Sequence, residues 1–337
     1  MPRRVSNPDN PWASTHVEWL EEPPRADLEV YEEEAKSILS RNESPDVPFH
    51  WSVNPYRGCF HGCAYCYARP THQYLGFGAG TDFDRKIVVK TNTPERLAES
   101  FAKRNWKREL VSFSGNTDCY QPLEVTYELT RRSLAVCADF HNPVSIITKS
   151  PLIRRDVDLL DKVASRAPLR AYLSIPFADA EMARAIEPYA APPAKRFEAI
   201  RALADAGLHV GVSVSPIVPG LNDAQVAEIL ERAAEAGAQS AFYILLRLPG
   251  ETGPVFWQRL EETYPDRVRK VRSALTESRG GKENESRFGV RMSGKGPRWS
   301  VIEQLFHSTC RRLGLEAGEW FGDARPNEPR ETQRELF

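Results

Sequence analysis

No stretch of this chain approaches eighteen consecutive apolar residues, so nothing in it is expected to span a membrane. An excess of one charge is also missing: 45 Lys and Arg stand against 46 Asp and Glu, a formal net charge of −1. The whole chain therefore offers no general attraction to a polyanion. Cysteine is scarce at six residues in 337, and three of the six crowd together, which argues against a disulfide framework. The glycine fingerprint of dinucleotide-binding folds does not occur. The opening Met1-Pro-Arg-Arg-Val-Ser runs into polar and acidic text rather than an apolar core. No secretion signal is expected, and the reducing cytoplasm is the expected compartment. What is present is ordinary for a folded globular chain, with 41% hydrophobic and 27% charged residues. The length suffices for one large domain or two small ones.

Residues 1–46 are rich in Pro and Glu and read as a partly irregular leader, with one short helix near Tyr31–Leu39. From about Trp51 to Leu246, short β-branched runs alternate with longer amphipathic ones. The runs predict strands at Leu110–Phe113, Val144–Thr148, Ala171–Ile175, Val210–Val214 and Ala241–Leu246. Helices are predicted over Val125–Phe140, Ala194–Ala206 and Asp223–Ala236, the last with Asn222 as N-cap and Gly237 as C-cap. Strands spaced by helices argue for parallel βαβ units. Five or six such units fit a complete or partial β/α barrel, whose active site lies at the C-terminal strand ends. The expected organisation is a leader (1–46), a core barrel (47–264), a basic C-terminal segment (265–325) and a flexible tail (326–337).

The decisive text is Asn54-Pro-Tyr-Arg-Gly-Cys59-Phe-His-Gly-Cys63-Ala-Tyr-Cys66-Tyr67-Ala-Arg-Pro. Its C-x3-C-x2-C spacing places three thiolates on one tight loop after a strand. Three thiolates can hold three corners of an iron–sulfur cube and leave the fourth iron open. An open coordination position is what separates a reactive metal site from a structural one. A structural zinc site completed by His61 or His72 is the alternative. Zinc loops more often read C-x2-C and need a second ligand pair further along, which the sequence does not supply.

At this motif the chain resembles the radical S-adenosylmethionine (SAM) superfamily, and within it an uncharacterised bacterial subfamily related to spore photoproduct lyase. Further landmarks are Ser44-Pro-Asp-Val-Pro-Phe, Asp82-Phe-Asp, Thr117-Asp118-Cys-Tyr-Gln-Pro, Thr148-Lys149-Ser150, Pro219-Gly-Leu-Asn-Asp and Arg287-Phe-Gly-Val-Arg-Met. The resemblance runs from about Arg41 to Leu315. It implies a partial (β/α)6 barrel with an irregular N-terminal leader and a C-terminal extension. It also implies a [4Fe–4S] cluster on Cys59, Cys63 and Cys66, with SAM chelating the open iron. Reductive cleavage of SAM would release a 5′-deoxyadenosyl radical that abstracts hydrogen from a substrate, chemistry that belongs to the cofactor. A flavodoxin- or ferredoxin-type electron donor is implied as a partner.

By the same resemblance, Tyr65 packs near the SAM adenine, although an aromatic there could equally be packing. Ser114 and Asn116, after a predicted strand, would receive the SAM amino group, and the same residue types also make simple turns. Lys149 would face the SAM carboxylate, and Ser174 its ribose or carboxylate. Glu187 and Arg196 match family positions, but helix-surface ion pairing explains them as well. Spore photoproduct lyases return hydrogen to the product radical from a cysteine that aligns near Ser112. Cys119 is therefore only a substitute catalytic candidate, and a small buried cysteine explains it too.

Between Arg267 and Arg298, ten Lys and Arg face three Glu, a basic stretch suited to a phosphate-bearing substrate or to a solvated loop. The preferred substrate is DNA or RNA, with base repair by a lyase-like reaction as the guiding comparison. The alternatives are a radical SAM enzyme acting on a peptide or metabolite, and a non-catalytic metal-stabilised nucleic-acid-binding protein. The terminal Gln333-Arg-Glu-Leu336-Phe337 resembles the Q-x-x-L-F peptide with which bacterial repair proteins dock on the sliding clamp.

Overall fold

A computed structural model of the chain describes residues 27–318. The sliding-clamp peptide, the flexible tail and the first part of the leader lie outside those residues. In chain order the strands are β1 (Glu29–Glu33), β2 (Leu39–Arg41), β3 (Trp51–Val53), β4 (Tyr56–Arg57), β5 (Lys86–Lys90) and β6 (Val111–Phe113). They continue as β7 (Val144–Thr148), β8 (Leu169–Ser174), β9 (Val210–Ile217), β10 (Ser240–Leu245) and β11 (Glu316–Ala317). Eight form one sheet in the order β11-β10-β9-β8-β7-β6-β3-β2, and β1-β5-β4 form a second, smaller one. Every pair from β3 to β11 in the large sheet is parallel, and β2 joins β3 antiparallel. Of these seven parallel strands, six, β3 and β6 to β10, make the expected partial (β/α)6 barrel with their crossovers, and β11 adds to its edge. Its end strands, β2 and β11, are not hydrogen-bonded to each other among the described residues.

The five predicted strands appear within three residues of their expected bounds. Both faces are covered: in β9, Val210, Val212 and Val214 are buried on one face and Gly211 and Ser213 on the other. The barrel interior is filled by Phe49, Tyr172 and Phe242, with Val47, Ile147 and Ile244 packed against them. Phe49 and Val47 belong to the loop between β2 and β3, which thereby reaches β10 at the far side of the parallel set. The same loop sends Asp46 to the segment after β10, where its carboxylate takes the Gly289 amide at 2.5 Å and the Arg291 guanidinium.

Three expectations change. The leader helix near Tyr31–Leu39 is absent; the segment supplies β1 and β2 instead. Tyr31 and its neighbours pair residue for residue with Lys86–Lys90, and tertiary pairing outweighs the helix-forming tendency of the Glu run. The predicted helix Val125–Phe140 is broken into Glu124–Tyr127 and Leu129–Asp139 at Glu128, which sits at φ 49. The buried Glu124 carboxylate accepts from the amides of Thr130 and Arg131 and from Tyr56, so it satisfies the start of the second piece. Asn222 does not cap the next helix. Its side chain bonds the Val218 amide and the Pro176 and Pro216 carbonyls, and a short 3-10 turn precedes Val226–Glu235. Gly237 ends that helix as expected, at φ 94.

The basic segment is integrated into the sheet: its helices Pro265–Ser278 and Gly296–Leu313 lead into β11, which pairs with β10. Much of its charge is paired internally, Arg272 with Glu283, Arg287 with Glu285 and Arg298 with Glu277. No helix among the described residues is long and apolar enough to cross a membrane.

Candidate active site

The chain leaves β4 at Arg57 and enters the loop bearing Cys59, Cys63 and Cys66. Gly58, at φ 77, sits against the strand: a Cβ there would lie 2.9 Å from the carbonyl oxygens of Phe83 and Lys86. Arg69 lies beneath the loop and is 1% exposed. Its Nε and Nη2 donate to the Cys63 carbonyl at 3.0 and 2.9 Å, and Nη1 donates to the Ala79 and Gly80 carbonyls, both at 2.9 Å. Nη2 also reaches Asp84 at 2.9 Å. Arg85 places its guanidinium over Phe60 and Tyr189, 4.7 and 4.1 Å from the ring centres. These protein groups hold the cysteine loop in place.

All three cysteines line one cavity at the C-terminal ends of the parallel strands. Lys149, Ser174 and Arg247 line it too. Burial pushes the Cys63 thiol up to about 12 and holds Cys59 and Cys66 high as well. Against that, Lys149 favours the thiolates of Cys63 and Cys66, and Arg69 favours that of Cys66. No group of three or more His, Cys, Asp or Glu among the described residues converges as a single ion requires. A cube takes each thiolate on a different iron and asks for no common point. The donor set therefore fits an iron–sulfur cluster with a cavity beside it for a further ligand.

Beside the cysteines lies a buried charged group. Arg196 Nη2 meets one oxygen of Glu187 at 2.5 Å, the Lys149 ammonium stands 3.8 Å from the other, and the Tyr65 hydroxyl donates to that same oxygen. Burial would raise the Glu187 pKa, but Arg196 and Lys149 outweigh it and hold it below the usual range. Burial would lower Lys149, yet Cys63 and Glu187 raise it, so it stays charged. Two cations share one carboxylate, and the surplus positive charge faces the cavity. Glu187 and Arg196 are therefore a buried pair at the site and not a helix-surface one.

A second buried acid, Asp118, is reached by His61 Nδ1 at 3.4 Å, the Thr148 hydroxyl at 2.7 Å and the Lys149 amide at 2.8 Å. Burial alone would raise Asp118; His61 and these donors pull it down to about 2. Tyr65, Ser114, Asn116, Lys149 and Ser174 all line the cavity with the three cysteines. Ser114, at φ 67, uses its hydroxyl to accept from the Cys119 amide at 2.9 Å, and Asn116 donates its amide to Asn54 at 2.8 Å. Ser174 donates to the Ser215 carbonyl at 3.3 Å. Cys119 is not brought to the site: it is fully buried in the main core and does not line the cavity. The sequence reading passed over Arg247, Tyr67 and Ser215, which do line it. Their signal was position, just past a predicted strand or the last cysteine.

A family model described as the radical SAM superfamily matches residues 53–233, from β3 through the helix after β9. The chain belongs to the radical SAM superfamily. An uncharacterised protein of Mycobacterium tuberculosis is 38% identical over 240 residues, covering 70% of this chain and 71% of that protein. An uncharacterised protein of Methanocaldococcus jannaschii is 28% identical over 239 residues, covering 71% and 85%. A protein of Pseudomonas phage M6 named a radical SAM Nalpha-GlyT isomerase is 22% identical over 265 residues, covering 77% and 53%. Among solved structures, spore photoproduct lyase complexed with dinucleoside spore photoproduct matches with a TM-score of 0.61 at 16% identity, covering 86% of this chain and 81% of that one. A variant of that lyase with bound AdoMet and the same dinucleoside matches at 0.63 and 17%, covering 87% and 82%. At such identities the structural likeness shows the shared fold. Membership makes this chain a radical SAM enzyme.

Proposed function

We propose that this radical SAM enzyme holds a [4Fe–4S] cluster on Cys59, Cys63 and Cys66 and abstracts hydrogen from a nucleic-acid base, a damaged one in particular. The observation that carries the reading is the joint placement of the cysteine loop and the surplus cation Lys149 in one cavity. The spore photoproduct lyases of the same fold, solved with a dinucleoside photoproduct, support the substrate class. When bound, the cluster and SAM together supply one-electron chemistry and a carbon-centred radical.

The chain's own residues bind, orient and exclude water. Lys149 offers a charged donor to the SAM carboxylate, with Glu187 and Arg196 fixing its position. Ser114 and Asn116 border the place for the amino group, the Tyr65 ring that for the adenine, and Ser174 that for the ribose. The Cys119 thiol is buried and does not line the cavity, so hydrogen return to the product is given to another group. A flavodoxin- or ferredoxin-type donor in the reducing cytoplasm supplies the electron.

Anaerobic reconstitution tests the reading. The protein should turn brown with about four irons per chain, and Cys63→Ala should abolish the colour. Formation of 5′-deoxyadenosine should rise when DNA or RNA is added. A colourless wild type binding one zinc ends the cluster assignment; a 5′-deoxyadenosine yield indifferent to nucleic acid ends the substrate assignment.

A further inference from the structure

The cavity is lined by a second cation besides Lys149, Arg247. Arg247 follows β10, three places along the sheet from β7 and its Lys149. It lines the cavity, half-buried, with its guanidinium 5.9 Å from the Tyr67 ring centre. Its buried Nε has no hydrogen-bond partner among the described residues, and none of the ion pairs there involves it. Its recorded contact is a weak one, Nη1 to the Met292 sulfur at 3.8 Å.

Two more guanidiniums stand near it. The two Nη groups of Arg279 donate to four backbone carbonyls, those of Leu245, Leu246, Arg291 and Ser293, which are neutral partners. Arg291 is paired with Asp46, the carboxylate also felt at Arg247, and both Asp46 oxygens are already taken. Glu285, felt at Arg279, is itself paired with Arg287, so the three cations leave positive charge beside a partly closed cavity. Burial and Arg291 accordingly disfavour the charged form of Arg247. A half-buried cation without a counter-charge is costly, and a bound anion removes the cost.

The rest of the lining indicates which anion. Phe242 and Ile244 of β10 form an apolar surface, and the buried Ser215 hydroxyl also lacks a hydrogen-bond partner among the described residues. A flat ring whose edge can exchange one hydrogen bond, joined to an anionic group, matches this set.

We infer that Arg247 binds a phosphate of the substrate, so that the enzyme recognises a nucleotide unit by its phosphate as well as by its base. This deepens the nucleic-acid reading and rests on it for the source of the phosphate. The test is calorimetric titration of the cluster-loaded, SAM-bound protein with three probes. These are the deoxynucleoside 5′-monophosphates, the matching nucleosides, and a short single-stranded oligodeoxynucleotide. Wild type should prefer monophosphates over nucleosides by about ten- to a hundredfold, the scale of one charge-assisted contact. Arg247→Gln should lose that preference and bind SAM as before, and Arg247→Lys should recover part of it. An unchanged preference in Arg247→Gln overturns the assignment, and so does a loss of SAM affinity, which gives the residue to SAM. If monophosphates depend on Arg247 while the oligonucleotide does not bind, the phosphate contact stands and the polymer substrate falls.

Discussion

Lys149 and Arg196 converge on the two oxygens of Glu187, so removing Lys149 leaves a buried carboxylate still neutralised by Arg196. The pocket should therefore keep its shape in Lys149→Ala while losing the donor meant for the SAM carboxylate. A charge-assisted hydrogen bond is worth about 1.5–3 kcal/mol, so SAM affinity should fall by about one to two orders of magnitude. Iron content should stay at the wild-type value. Equilibrium dialysis with labelled SAM, alongside an iron assay, separates the two effects; unchanged affinity in a cluster-replete variant removes Lys149 from the site. Asp118 gives a prediction of a different kind. Its pKa falls from 3.8 in the unfolded chain to about 2 in the fold. A depressed carboxylate contributes stability that is fully present above the unfolded value and is lost as pH falls through the folded one. The contribution is about 2 kcal/mol. Urea midpoints should drop between about pH 4 and pH 2, and Asp118→Asn should flatten that part of the curve. An unaltered acid limb in the variant would show that the turn is held by other groups.

At the scale of elements, the cysteine loop depends on one side chain. Arg69 makes a planar fork of donors to carbonyls on two segments and to Asp84, a geometry that lysine cannot copy. Arg69→Lys should keep the charge, lose about 1–3 kcal/mol, and hold its cluster poorly although every cysteine remains. Iron per chain after gel filtration is the readout; full retention would mean that the thiolates alone organise the loop. This dependence was not legible in the sequence, because nothing local marks an arginine as buried. The cysteine triplet was legible, since its spacing carries its chemistry. So were β7 and β9, whose valines and isoleucines at strand spacing mark them as strands. The leader was misread because β1 owes its form to β5, more than fifty residues away, and such pairing leaves little trace in a Glu-rich segment. Glu128 was misread for the same reason: the break in the helix is set by Glu124 meeting Tyr56 from another part of the chain. Arg247 and Asp118 were passed over as roles because each gains meaning only from the partner it has or lacks.

For the whole molecule, recruitment and catalysis should be separable. Gln333, Leu336 and Phe337 lie outside the described residues, and we propose that they bind the bacterial sliding clamp. Two apolar anchors contribute about 1.5–3 kcal/mol each, and ordering a short peptide opposes them, so micromolar affinity is expected. Leu336→Ala/Phe337→Ala should abolish clamp binding and leave SAM cleavage unchanged. Equal binding by both proteins, or by neither, in a titration against purified clamp would refute the docking role. The large sheet bears on how the enzyme meets a bulky target. Among the described residues, backbone hydrogen bonds run from β2 to β11 without joining the two ends. The loop carrying Ser44, Asp46, Val47 and Phe49 bridges the parallel set through an ion pair, hydrogen bonds from Gly289 and Arg291, and a few apolar contacts. Side chains can trade partners at far less cost than a ladder of peptide groups can be torn, so the hoop has a clasp. That clasp stands beside Arg247.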